Sequence, residues 1–165
     1  MSREALGRPA RHVTTLVYAV RADALVLIER RKEPNRGLWS PPGGKLEPGE
    51  TPLAGALREL AEETGLSVER AELRAVVTEW DPARDETWVM FAFLARIAPS
   101  AGELVGDGRE GRAEWVPLAD VPRLALPPAD PQILAAILDP NPSIAFVDVR
   151  FDDGDLVGVS VARGG

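Results

Sequence analysis

Short apolar blocks recur along this chain, and the spacing inside them changes from one block to the next. Residues 13–20 (VTTLVYAV) and 24–30 (ALVLIER) are crowded with Val, Leu, Ile and Thr. A polar step at 21–23 separates them, which predicts two strands joined as a hairpin. Residues 34–44 hold Pro34, Asn35, Gly37, Pro41, Pro42, Gly43 and Gly44, a concentration of breakers that predicts a loop. The period then shifts. Leu53, Leu57, Leu60 and Ala61 gather on one side of a helical wheel, Thr51 is a good N-cap, Pro52 suits the first helical position and Gly65 suits the stop. A helix is therefore expected over residues 51–64. Residues 72–80 and 87–95 predict strands joined by a polar turn around 81–85. The second (TWVMFAFLA) is an almost continuous apolar run, expected at the centre of a sheet and buried on both faces. Residues 100–111 read as a charged, Gly-rich surface loop, 113–117 as a short strand and 130–138 as a short amphipathic helix. Residues 144–151 and 156–162 flank Asp152-Asp153-Gly154-Asp155, a strong hairpin signal.

Strands dominate, two helices accompany them, and no repeat or long linker divides the chain. With 165 residues this predicts one mixed α/β domain over residues 13–165, preceded by a flexible polar tail at residues 1–12. The absence of Cys excludes a disulfide scaffold, a thiol nucleophile and a thiolate metal site. The single His, His12, excludes a His-rich metal centre and reads as a tail residue. No apolar run approaches a membrane span and the N-terminus lacks a signal-peptide core, so a cytoplasmic protein without a membrane partner is expected. A net charge of −7 without basic clusters argues against stable nucleic-acid binding. An acidic protein can still hold anionic phosphates where a divalent cation lies between the two charges.

The expected helix sharpens that point. Glu59, Glu62 and Glu63 stand at i, i+3 and i+4, so their like charges repel on one surface, roughly opposite the apolar residues. Such a face is ordinarily just solvated. Two features argue otherwise. The carboxylates lie in the C-terminal half, where the helix dipole disfavours anions, and the helix carries a single basic residue, Arg58. Uncompensated repulsion between oxygen ligands suits a hard external cation, Mg²⁺ or Mn²⁺. Gly43-Gly44, just upstream, allows backbone to approach a ligand and offer a carbonyl. No P-loop pattern is present, because Leu46 follows Lys45.

These residues carry a resemblance. Gly44, Glu50, Arg58, Glu59, Leu60, Glu62, Glu63, Gly65 and Leu66 reproduce the Nudix box, G-x5-E-x7-R-E-U-x-E-E-x-G-U with U aliphatic, at every spacing. The chain is identified as resembling the Nudix hydrolases. That implies an α/β/α sandwich with a mixed central sheet and hydrolysis of a nucleoside diphosphate linked to another group. It implies metal ligation by Glu59, Glu62, Glu63 and the Gly43 carbonyl, with Mg²⁺ or Mn²⁺ as cofactor. Arg58 would orient the glutamates, paired with Glu50. A carboxylate among Glu59 and Glu62 would take the proton of the attacking water, and Gly44 and Gly65 would shape the box.

Beyond the box, RRKEPNRGLWSPPGGK and REGRAEWVPLADVP resemble MutT-like and animal-type oxidised purine nucleoside triphosphate hydrolases. The second segment places Glu110 five residues before Trp115, as an added metal ligand or as a plain loop charge. In the base-recognition segment this chain reads Pro127-Pro128-Ala129-Asp130 where the animal-type enzymes have Trp-Pro-Asp-Asp, so only Asp130 remains. Ser40 stands where an Asn helps to read the base. Trp80 could stack on a base, whereas Trp88 reads as a sheet-core aromatic. Arg30 and Lys45 could grip phosphates. The implied reaction converts a (d)NTP or an oxidised purine (d)NTP to nucleoside monophosphate and pyrophosphate, by a monomer or homodimer. An ADP-ribose or nucleotide-sugar pyrophosphatase is the alternative, on a marker at Pro82. A non-catalytic nucleotide sensor is a second alternative.

Overall fold

A computed structural model describes residues 10–106 and 108–164. Its strands are β1 (Ala10–Arg21), β2 (Ala24–Arg30), β3 (Trp39–Ser40), β4 (Gly43–Lys45), β5 (Glu72–Asp81), β6 (Glu86–Arg96), β7 (Gly111–Pro117), β8 (Ala145–Asp152) and β9 (Asp155–Arg163). Two helices, α1 (Pro52–Thr64) and α2 (Asp130–Leu138), and a 3-10 turn at Val121–Arg123 complete the order.

Among the described residues, all nine strands join one sheet along the path β3-β2-β1-β6-β5-β8-β9, with β4 added to β1 and β7 to β2. β1 lies parallel to β6 and β5 parallel to β8, while the other pairs are antiparallel, so the sheet is mixed as expected. In-out alternation divides each strand between two cores. Val17, Ala19, Val26 and Phe93 meet Ala56 and Leu60 of α1. Tyr18, Leu27, Val77 and Leu94 meet Ile133, Ala136 and Ile137 of α2. A helix on each face of one sheet is the α/β/α sandwich implied by the Nudix box.

The hairpin between β8 and β9 forms as its turn sequence requires, with Asp153 and Gly154 both at positive φ. Thr51 caps α1 by accepting a hydrogen bond from the Ala54 N–H at 3.2 Å, and Gly65 ends the helix in the left-handed region. Four expectations need correction. The loop read at 34–44 contains β3 and β4, whose few residues are too short to show a period. The N-terminal tail read at 1–12 gives way to β1 from Ala10 onward; residues 1–9 lie outside the described residues. On α1, Leu53 and Ala61 are exposed, and the inner face is Gly55, Ala56, Leu60, Glu63 and Thr64. Small residues there let the helix lie close to β4 and draw a carboxylate inward. In β6, Ala92–Ala95 are buried but the preceding residues are only half-buried, because neither helix covers that end of the strand. Among the described residues, no helix is long and apolar enough to cross a membrane.

Candidate active site

The site grows from the short strand β4. Thr15 faces Gly44 and Leu16 faces Gly43 across the β1–β4 ladder, which is continued by Val17 N–H donating to the Pro42 carbonyl at 2.8 Å. Antiparallel pairing points the polar groups of alternate residues away from the partner strand. Gly43 is such a residue, and its N–H donates to Glu63 Oε2 at 2.9 Å. Its carbonyl lies on the same strand edge, where a ligand carbonyl would be needed. The glycines are sterically required. A Cβ on Gly43 would meet the Thr15 carbonyl group, and one on Gly44 would stand 2.7 Å from the Glu59 carboxyl carbon.

Arg58 organises the carboxylates around this strand. Its Nε donates to Glu50 Oε1 at 2.7 Å and its Nη2 to Glu50 Oε2 at 3.0 Å, a two-pronged contact that fixes the guanidinium plane. Its Nη1 reaches Glu59 Oε1 at 2.9 Å and Glu62 Oε2 at 3.3 Å. Hydrogen bonding from Arg58 holds the Glu50 carboxyl down at about 2, so Glu50 is an anion at any working pH. The Arg58–Glu50 contact expected from the box is thus present in the fold.

Among the described residues, Glu63 meets no such cation at contact distance. Burial pushes its carboxyl up to about 8, and the charges of Glu59 and Glu110 push the same way. Glu59 is raised as well, first by burial, with Glu62 and Glu110 adding to it. These mutual effects place Glu110 in the same field as the helix glutamates. Glu110 is held at both its backbone and its carboxylate. Its carbonyl accepts from Arg31 N–H at 2.9 Å, which extends the β2–β7 ladder by one rung, and its carboxylate meets Lys32 Nζ at 3.4 Å and Arg30 Nη2 at 3.8 Å. Arg30 and Lys32 therefore rim the acidic group.

The donors Glu59, Glu62, Glu63, Glu110 and the Gly43 carbonyl are all hard oxygens and fit Mg²⁺ or Mn²⁺. The fold brings them to one face but not to one point. Among the described residues no three acidic side chains converge closely enough to hold an ion as they stand. Arg58 engages Glu59 and Glu62, the Gly43 N–H engages Glu63, and Arg30 and Lys32 engage Glu110. A divalent charge competes with each of these contacts, and the side chains are long enough to swing toward it.

The sheet's other face carries a different set. Lys45 is level with Thr14 and reaches over the Trp88 ring at 5.7 Å; His12 stacks on the same ring at 4.0 Å. Trp88, read as a core aromatic, is half-buried because it lies in the uncovered half of β6. Glu79 is its cross-strand partner. Asp130, at the first turn of α2, approaches this face beside Tyr18 and lines a crevice with Leu27, Pro41, Leu126 and Leu134. Ser40 and Trp80 do not join it. Ser40 is level with Ile28 and falls on the α1 side, leaving Trp39 to pack on the crevice side. Trp80 is exposed on the α1 side, with Arg150 over its ring at 5.8 Å. Pro82 is an exposed residue of the β5–β6 turn. Sequence reasoning passed over Tyr18 and Glu79. Glu79 falls in phase with inward-facing Val77, so strand alternation alone marks it as an inward carboxylate.

Known proteins resemble this chain in sequence and fold. The NUDIX domain profile matches residues 10–137. The Nudix hydrolase YvcI of Bacillus subtilis is 34% identical over 116 residues, covering 68% of this chain and 70% of that protein. The human 8-oxo-dGDP phosphatase NUDT18 is 37% identical over 116 residues, 70% of this chain but 33% of the relative, so the chain spans about a third of that protein's length. A MutT protein from Bacillus halodurans superposes with a TM-score of 0.78 at 27% identity, covering 91% of this chain and 97% of that one. With most of its length matched and its box folded onto α1 and β4, the chain belongs to the Nudix hydrolase family.

Proposed function

We propose that the chain hydrolyses a nucleoside triphosphate, an oxidised purine one in particular, to nucleoside monophosphate and pyrophosphate, with Mg²⁺ or Mn²⁺ as cofactor. One observation carries the reading: Glu59, Glu63 and Glu110 repel one another on a single face that Arg30 and Lys32 border. An anionic cluster rimmed by cations is built for a metal shared with phosphate oxygens, not for phosphate alone.

A divalent ion bound there would neutralise the phosphate oxygens and lower the pKa of the attacking water. The chain's own residues supply the rest. Glu59, Glu62, Glu63, Glu110 and the Gly43 carbonyl would hold the ion. Arg58, fixed by Glu50, keeps Glu59 and Glu62 aligned, and one of these two accepts the proton as water attacks phosphorus and the bridging P–O bond breaks. Arg30 and Lys45 bind phosphate oxygens from either side of β4, and Asp130 contacts the base. The purine preference is supported by the human relative, whose name places it on 8-oxo-dGDP.

The test is a substrate panel with product identification: (d)NTPs, 8-oxo-dGTP, ADP-ribose and diadenosine polyphosphates, each with Mg²⁺ and Mn²⁺. Nucleoside monophosphate and pyrophosphate from a triphosphate are expected. Cleavage of ADP-ribose with inert triphosphates would overturn the reading. Glu62→Gln is expected to lower turnover by orders of magnitude with the fold retained.

A further inference from the structure

We propose that β9 pairs with β9 of a second copy of this chain, antiparallel and about a two-fold axis at Val159, so that two sheets continue as one. β9 ends the path of the sheet and, among the described residues, pairs only with β8. The backbone N–H and C=O groups along its outer side can therefore take another strand. Sheet edges are ordinarily blunted by shortness, lysine, proline, a bulge or a covering segment. β9 is nine residues long, carries neither Lys nor Pro, and keeps its two charges, Asp155 and Arg163, at its ends. One such device is present, a shift of register that skips Val157. From Gly158 to Arg163 the register with β8 runs without a break. The other end of the path, β3, is only two residues long.

The strand's own sequence selects the partner. Val157-Gly158-Val159-Ser160-Val161 reads valine, small, valine, small, valine from either end. An antiparallel copy turned about Val159 sets Val159 against itself, Val157 against the partner's Val161 and Gly158 against the partner's Ser160. β-branched side chains facing each other across antiparallel strands stabilise the pairing. Val157 and Val161 are 67% and 48% exposed, so the second copy would cover apolar surface that β8 leaves in water. The ends agree in charge as well. Antiparallel alignment brings Asp155 to the end where the partner carries Arg163, whereas parallel alignment would set Asp155 beside Asp155 and Arg163 beside Arg163. Arg163 is fixed at its end by donating to the Ser143 and Ala136 carbonyls and by Asp139 at 3.3 Å. A two-fold contact of this kind is satisfied by two copies, so the assembly closes as a dimer. Strands β1, β6, β5 and β8 lie between β9 and β4, which leaves both carboxylate faces open.

The experiment uses the full chain and reads association directly. Sedimentation equilibrium is run up to about 1 mM chain, where a weak but specific contact still registers. The wild type is expected to reach a species of twice its 17.8 kDa mass and none larger. Val161→Lys places a charge at an exposed position opposite the partner's Val157 and should weaken association at least about tenfold, with an unchanged melting midpoint. The chain has no Cys, so a single introduced thiol can bridge only two copies. Val159→Cys, on the axis, should form a covalent dimer under mild oxidation. Val161→Cys should not, because its two copies lie four residues apart along the strands, about 13 Å, beyond the roughly 7 Å that a disulfide spans. A wild type that stays monomeric across the whole range, a dimer that Val161→Lys leaves intact, or bridging through position 161 and not through 159 overturns the proposal.

Discussion

Gly43 and Gly44 are neighbours, but alanine at the two positions should fail in different ways. At Gly44 a Cβ would stand 2.7 Å from the Glu59 carboxyl carbon, where carbon atoms prefer about 3.5–4.0 Å. The obstructed group is the end of a flexible side chain, so it can retreat by about 1 Å at little cost to the fold. Stability should therefore change by less than about 1 kcal/mol. Catalysis should not escape so lightly, because a misplacement of that size costs roughly 100-fold in rate. At Gly43 the obstructing atoms are backbone: the Thr15 carbonyl carbon at 3.0 Å, with its oxygen closer, and the Leu16 Cα at 3.1 Å. Nothing there can rotate away, so β4 must lift from β1. Losing the rungs between Thr15 and Gly44 and between Val17 and Pro42, at about 1 kcal/mol each, plus overpacking of 1–3 kcal/mol, gives about 3–5 kcal/mol. Urea melts and steady-state pyrophosphate release with Mg²⁺ would measure both quantities. A Gly44→Ala protein that keeps full activity, or unfolds as readily as Gly43→Ala, would refute this account of the strand.

Further outcomes are expected at three residues. Arg58→Ala should lower stability by about 1–3 kcal/mol, since it strands Glu50, Glu59 and Glu62 without their shared cation, and Mg²⁺ should raise its melting midpoint more than it raises the wild type's. Arg58→Lys should not restore it, because one ammonium cannot reproduce the paired donation to Glu50. Arg74, buried beneath α2, donates to the carbonyls of Ile137, Asp139 and Asn141, so Arg74→Ala should cost about 2–4 kcal/mol, or roughly 4–16 °C in a thermal melt. Asp81 joins two turns by accepting from the N–H groups of Ala83, Asp153 and Gly154. Burial alone would raise its pKa, but the hydrogen bonds from Gly154, Asp153 and their neighbours outweigh it and hold the carboxyl below its ordinary value. Its contribution is therefore complete above about pH 4 and is lost as pH falls through the lower folded value. Melts of wild type and Asp81→Asn should differ most at neutral pH and converge in acid.

The mixed α/β elements and the box were legible because each rests on local signals, whereas the sandwich followed from the resemblance that the box carries. Thr51, Pro52 and Gly65 mark the ends of α1 directly, and the Asp153-Gly154 turn marks β8–β9. β3 and β4 were not legible, since a two- or three-residue strand is defined by its neighbour and not by its own pattern. The inner face of α1 was misplaced for a related reason: Gly55 and Ala56 bury through closeness of approach, which hydrophobicity does not score. In the site, spacing pointed to Glu110, but only the rung from Arg31 explains why it stays near the helix. Ser40 and Asp130 were grouped by resemblance, and Trp80 was added as a substitute stacking ring. Strand parity sends Ser40 and Trp80 to the opposite side of the sheet from Asp130 and puts Tyr18, Glu79 and Trp88 on its side.

The parallel pairing of β1 with β6 has a consequence for how the chain comes into being. Ala10 faces Glu86 and Val20 faces Arg96, a separation of 76 residues at every rung. During synthesis β1 emerges long before its central partner and must wait, apolar and unpaired along that edge, while the box is still being made. Closing so long a loop is entropically slow, and β4 gains its ordered support only when β1 is seated. The carboxylate face is therefore among the last parts to become organised, and a nascent chain ending before residue 86 would carry every residue of the Nudix box without the geometry to use it.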